Sequence, residues 1–196
     1  VEHANRGGRM VEKILGTSRS QYIAMLAWLW IGLTSSIASA TETLALDQGT
    51  SEYTVGTSLH YLEDPTGKLG IQDVREPSKL STFTKSTVET PNFGFTESAY
   101  WFSIRLESKS AKSSQWLLTV DYPPMDHIDV HIIDSTGKHR EFRTGDALPF
   151  YSRPVDHPTF IFPVDFEAKE SLHVMIRIAS TGAVKLPIRA YQPNWF

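Results

Sequence analysis

The sequence predicts an all-β domain, an antiparallel β-sandwich of short strands with jelly-roll connections. Three observations predict it. From Ala99 onward apolar and polar residues alternate with period two, as in strands with one face on a core. Turn clusters such as Glu63-Asp64-Pro65-Thr66-Gly67 and Asp134-Ser135-Thr136-Gly137 interrupt that alternation at the spacing of a sandwich or barrel. No sustained helical stripe appears between residues 41 and 196.

Residues 1–40 read as an N-terminal extension and signal peptide. Lys13 and Arg19 supply a positive flank, Tyr22 to Leu33 an uncharged apolar run, and Ala38-Ser39-Ala40 a small-x-small cleavage site. The apolar run is shorter than the roughly 20 residues of a membrane-spanning helix. Export with cleavage near Thr41 is therefore expected, with an uncleaved anchor as the alternative. The residues before Met10 do not fit a signal peptide, which makes Met10 a candidate start. Residues 41–196 then form one exported domain, a usual domain size.

Along that domain, 41–52 is polar and reads as a leader or a short edge strand, and 53–62 as a strand. Residues 71–87 allow a short helical turn and nothing longer. Pro91-Asn92-Phe93-Gly94 reads as a turn. In 100–107, Tyr100, Phe102, Ile104 and Leu106 share one face, and Trp101, Ser103, Arg105 and Glu107 the other. Strands follow at 115–121 and 127–133, the first stopped by Asp121-Tyr122-Pro123-Pro124. Residues 138–143 pair back across the Asp134–Gly137 loop. A proline-rich crossover spans 145–158 and favours jelly-roll or Greek-key topology over a meander. The last strands are 159–164, 171–179 and 184–191, about eight in all.

Composition narrows the function. The chain has 196 residues, a formal net charge of −3 and no cysteine. Stability must come from packing without disulfides. No basic block follows residue 40, so nucleic acid is excluded as a partner. There is no Gly-x-Ser-x-Gly elbow, phosphate loop, His-Glu-x-x-His or glycine-rich dinucleotide turn, so the chain is not expected to be an enzyme.

Three sets of residues carry possible chemistry. His127, Asp129 and His131 lie on one face of one strand and are of zinc-ligand type; the alternative is a solvated polar face. Asp64 and Asp73, with Glu63, offer oxygen ligands for calcium; the alternative is ordinary loop acids. Trp101, Arg105 and Arg177 leave their strands on the side away from the core, near Asp121 and Tyr122. An aromatic ring beside guanidinium and carboxylate groups suits a sugar; the alternative is a Trp101 packed under a loop.

Several motifs in order resemble one family. They are Tyr61-Leu62-Glu63-Asp64-Pro65, the run Asn92 to Phe102, Trp116-Leu117-Leu118, Asp121-Tyr122-Pro123 with Asp126, Gly145-Asp146, Pro149-Phe150, Arg153-Pro154, Phe160 to Pro163, Arg177 and Leu186-Pro187. Over roughly 53–190 the chain resembles the type-two extracellular sensor domain of bacterial seven-transmembrane receptors with diverse intracellular signalling modules (7TM-DISM). The resemblance implies a jelly roll like those of carbohydrate-binding modules. It also implies a periplasmic sensor for a membrane-embedded receptor whose output is a histidine kinase, as in two-component systems, or a diguanylate cyclase. Carbohydrate is the usual ligand proposed, with calcium a further candidate. The chain stops at Phe196, about where the first membrane helix of that pattern begins, so it is expected to be a truncated receptor or a free periplasmic domain.

The function expected is thus a periplasmic ligand-binding sensor domain for a carbohydrate or related small ligand, with a glycan hydrolase, a structural or adaptor sandwich or a calcium sensor as alternatives. The ligand surface expected is the outer sheet face bearing Trp101, Arg105 and Arg177, with Tyr122, Asp126 and Arg153 at its rim. It requires the strands of 100–107 and 171–179 to share a sheet.

Overall fold

A computed structural model of the chain describes residues 42–196. The signal segment expected over 1–40 lies outside the described residues. In chain order the elements are β1 (Thr43–Leu46), β2 (Glu52–Thr54), β3 (His60–Asp64), α1 (Ile71–Arg75), α2 (Pro77–Leu80), β4 (Thr84–Lys85), β5 (Asn92–Phe95) and β6 (Ala99–Ser108). They continue with β7 (Ser114–Val120), β8 (His127–Ile133), β9 (His139–Thr144), β10 (Phe160–Phe166), β11 (Ser171–Ala179), β12 (Ala183–Lys185) and β13 (Ile188–Tyr191). Among the described residues no helix is long and apolar enough to cross a membrane.

The alternating segments become strands because one face of each must leave water. The larger sheet runs β4-β3-β6-β11-β8-β9, and the smaller β10-β7-β13-β2. Tyr100, Phe102, Ile104 and Leu106 of β6 meet Trp116, Leu118, Phe160, Phe162 and Val164 of the smaller sheet in one buried core. Each such side chain contributes about 1.5–3 kcal/mol on leaving water. The result is an all-β sandwich whose sheets are antiparallel but for one edge pairing.

Four local readings change. β1 joins β6 in parallel, Thr43 opposite Arg105 through Leu46 opposite Ser108, so the larger sheet is not purely antiparallel. β3 covers Ala99 to Ser103 of β6, and β1 satisfies the backbone groups that β3 leaves. The segment 53–62, read as one strand, is β2 in the small sheet and β3 in the large one. Gly56 sits at the switch, where a Cβ would come within 1.8 Å of the Glu89 carbonyl oxygen. Likewise 184–191 splits into β12 and β13 around Pro187, which cannot donate to a ladder. Asn92–Phe95, read as a turn, is β5 and pairs with β12.

A partial third layer lies on the far face of the large sheet. Val74, Trp101 and Met175 form a second buried cluster, packed by Leu62, Leu69, Ile71, Leu80 and Phe83. The short helices α1 and α2 supply Ile71, Val74 and Leu80 of that cover.

Candidate functional site

β6 and β11 are hydrogen-bonded neighbours, with Arg177 opposite Trp101, and Arg177 is also opposite Asp129 of β8. Asp129 in turn faces Arg143 of β9. Alternation therefore places Leu62, Trp101, Arg177, Asp129 and Arg143 in one outward row. The next row carries His60, Ser103, Met175, His131 and Glu141, and the one after it Thr43, Arg105, His173, Ile133 and His139.

Trp101 leaves the sheet on the side expected but is only 1% exposed. The expectation of an open stacking platform is corrected here. The apolar side chains of the 69–83 segment need burial, and they obtain it by covering this indole. The Trp101 ring stacks instead on His131, with centroids 5.7 Å apart and planes at 21°.

Arg177 ties the covering segment to the sheet. Its Nη2 donates to the Gly67 carbonyl at 2.9 Å, and its Nη1 lies 3.6 Å from the Asp129 carboxylate. Gly67 takes φ +64°, a turn conformation open to glycine. Asp64 shapes the same loop. One of its oxygens accepts from the Thr66 amide and hydroxyl, the other from the Leu69 amide at 2.9 Å. Burial opposes ionisation of Asp64, but these hydrogen bonds outweigh it and hold the carboxyl below its ordinary range. Asp73 accepts from the Gly70 amide at 2.8 Å. Both residues considered for calcium thus organise the backbone that covers Trp101.

Between this loop and β9 lies a depression of about 330 Å³, lined on the sheet side by Trp101, Asp129, His131, Glu141, Arg143 and Arg177. Arg143 donates to Glu141 and holds that carboxyl below its ordinary range. Burial, the largest influence, pushes the His131 ring below its ordinary value. One row further, His173 Nε2 is 2.8 Å from the Ser103 hydroxyl. Burial first, and then Arg105 and Arg75, push the His173 ring down to about 4. Arg105 is exposed on the same face but does not line the depression.

A larger hollow, about 580 Å³, lies at the Ala179–His127 end of this face and is lined also by Phe95, Glu97, Asp126 and Thr181. Asp126 accepts from the Thr181 amide and hydroxyl, each at 2.7 Å. Thr181 holds the Asp126 carboxyl below its ordinary range. Phe95 stands 85% exposed at the edge of this hollow.

The expected rim is corrected at two positions. Tyr122 packs against the main core beneath the Lys185 ammonium, 6.0 Å from its ring centroid. Arg153 donates to the His157 and Pro158 carbonyls and lies over the Phe160 ring at 4.3 Å. Arg153 fastens the crossover over β10, and neither residue lines the two hollows.

The strand expected at 138–143 is β9, paired with β8; sequence reasoning missed its side chains as site residues. Alternation in 138–143 places His139, Glu141 and Arg143 on one face, and the Asp134–Gly137 turn sets their register against His131 and Asp129. That signal was present in the spacing.

Residues 56–192 match the family model described as 7TMR-DISM extracellular 2, a span from just before β3 to just after β13. No curated protein matches the chain.

Proposed function

Because the chain belongs to the 7TMR-DISM extracellular 2 family, extracellular sensor domains of membrane receptors, we propose that its outer-face depression binds a carbohydrate or related small ligand, preferably an anionic sugar. The sensing face lies in the periplasm, and the sandwich is of the jelly-roll kind used by carbohydrate-binding modules.

The observation that supports this reading is the row Arg177, Asp129 and Arg143 beside the loop at Gly67. Carboxylate and guanidinium groups take sugar hydroxyls as charge-assisted hydrogen bonds, and a guanidinium fork pairs bidentately with a uronic carboxylate. With the Trp101 face covered, recognition rests on polar contacts. Such a site binds weakly, on the order of −4 to −6 kcal/mol. Sensor domains of this family are non-catalytic in general. A glycosidase would need a carboxylic acid with a raised pKa, whereas Arg143 holds Glu141 low.

Calorimetric titration of the purified protein with neutral hexoses and uronic acids tests the proposal. Uronic acids should bind more tightly than the neutral sugars, and Arg177→Lys, which keeps charge but loses the fork, should weaken them severalfold. Absence of binding across the panel, or wild-type affinity in Arg177→Lys, would refute it.

A further inference from the structure

The hairpin β8–β9 brings together three side chains that no single strand could. A strand rises about 3.3 Å per residue, so His127 and His131 of β8 stand ~13 Å apart, beyond the reach of one ion. Across the hairpin the geometry differs. Glu141 is directly opposite His131, and His139 is opposite Ile133, one outward step away. One ligand atom from each of His131, His139 and Glu141 lies within 4.8 Å of the others.

We propose that His131, His139 and Glu141 form a binding site for a divalent transition-metal ion of the zinc class, with an open coordination position facing the outer-face depression. The ligand types are those of three-coordinate protein zinc sites that keep a fourth place for water or a ligand.

His131 Nδ1 and His139 Nε2 stand 3.0 Å apart. Two nitrogens bound tetrahedrally to zinc at ~2.05 Å would be about 3.3 Å apart, so the metal needs a shift of only a few tenths of an ångström. One ring supplies the proton shared between the two nitrogens; on metal binding that proton passes to the same ring's other nitrogen, so both rings bind as neutral imidazoles with no net proton lost.

The site is prearranged. His131 is 4% exposed and its ring is held against Trp101. The loop below fixes the register: the Asp134 carboxylate accepts from the Thr136 amide and hydroxyl and from the Lys138 amide. Gly137 takes φ +87° in the same turn. Arg143 donates to one of the two Glu141 carboxylate oxygens. The other oxygen serves the metal. His131 and Glu141 also line the depression, which places the open position there. None of this depends on the sugar reading, since the metal is bound with no sugar present.

The test is a titration of chelator-stripped, purified protein with zinc chloride alone, followed by calorimetry and thermal melting. A cobalt(II) titration is read in the visible spectrum. The expected result is saturable one-to-one zinc binding with a raised melting temperature reversed by chelator, and cobalt absorption bands of a four-coordinate site. His139→Ala and Glu141→Gln alter exposed positions and should weaken zinc roughly tenfold or more, with the zinc-dependent rise in melting temperature read against each variant's own metal-free value. Zinc binding that survives His139→Ala at wild-type affinity would place the ion elsewhere and overturn the proposal. So would the absence of saturable binding by the wild-type protein.

Discussion

Replacing His173 by glutamine tests how burial on the outer face has tuned one side chain. The His173 ring is held at about 4 in the folded protein, against an ordinary 6.5. Above 6.5 neither folded nor unfolded His173 carries a proton, and the group contributes nothing to the pH dependence of stability. Between 6.5 and about 4 the unfolded chain binds a proton that the folded protein excludes, so the unfolded state is favoured as pH falls. Below about 4 both states are protonated and the whole cost is in place. A drop of this size corresponds to on the order of 2–3 kcal/mol for a half-buried ring. His173→Gln retains a partner for the Ser103 hydroxyl and removes the titration. Urea unfolding of metal-free wild type and variant from neutral pH down to about 4.5 should show wild type losing stability faster, with the difference growing by about 2 kcal/mol. Carboxylates held low, such as Asp64 and Asp126, also lose stability in acid, but they do so equally in both proteins. Parallel stability curves over this window would show that His173 titrates normally, and the reasoning from burial would fail.

Three further substitutions probe the scaffold around the site. Gly145 has φ +148°, and an added Cβ would fall 2.0 Å from the Asp126 carbonyl oxygen; Gly145→Ala should therefore cost about 3 kcal/mol or more. Gly137 has φ +87° with nothing within 4 Å of a Cβ, so Gly137→Ala should cost only about 1 kcal/mol. Denaturant melts that rank the two in the opposite order would contradict the close approach at Gly145. Trp101→Ala should cost about 3–5 kcal/mol as a buried-core truncation, measured in the same melts. A loss below about 1 kcal/mol would mean that the ring is not held under the 69–83 segment.

The strands most legible in the sequence are those with one wholly apolar face on the main core. In β6, β8 and β11 packing on the main core imposes period two, and the apolar sets Phe102–Ile104–Leu106, Ile128–Val130–Ile132 and Val174–Ile176–Ile178 are read directly from it. Where the chain changes sheets, the period carries no mark of the change. The segments 53–62 and 184–191 each look continuous, yet each serves two partners, because sheet membership is decided by distant residues: Val55 donates to the Ile188 carbonyl, and Leu186 to the Pro91 carbonyl. β5 was hidden for the opposite reason. Asn92 and Gly94 are turn residues, and the Asn92 side chain does accept from the Gly94 amide at 3.0 Å with Gly94 at φ +66°. That local turn chemistry is contained within an irregular two-stranded pairing with β12.

The outer face shows where direction and exposure part company. Alternation correctly sends Trp101, Arg177 and His131 away from the core, because a side chain cannot occupy both faces of a sheet. It does not show what lies above them. The signal for the third layer was the set Leu69, Ile71, Val74, Leu80 and Phe83, too sparse to mark a long helix but too apolar to remain in water. The same distinction separates the acids. Asp64 accepts from amides and a hydroxyl within five residues of its own position, so its charge is spent on shaping the covering loop. Glu141 meets His131 and His139 only through the register of a hairpin. A carboxylate satisfied by its own loop builds the wall of a site, and one held opposite histidines by a neighbouring strand is available to what enters it.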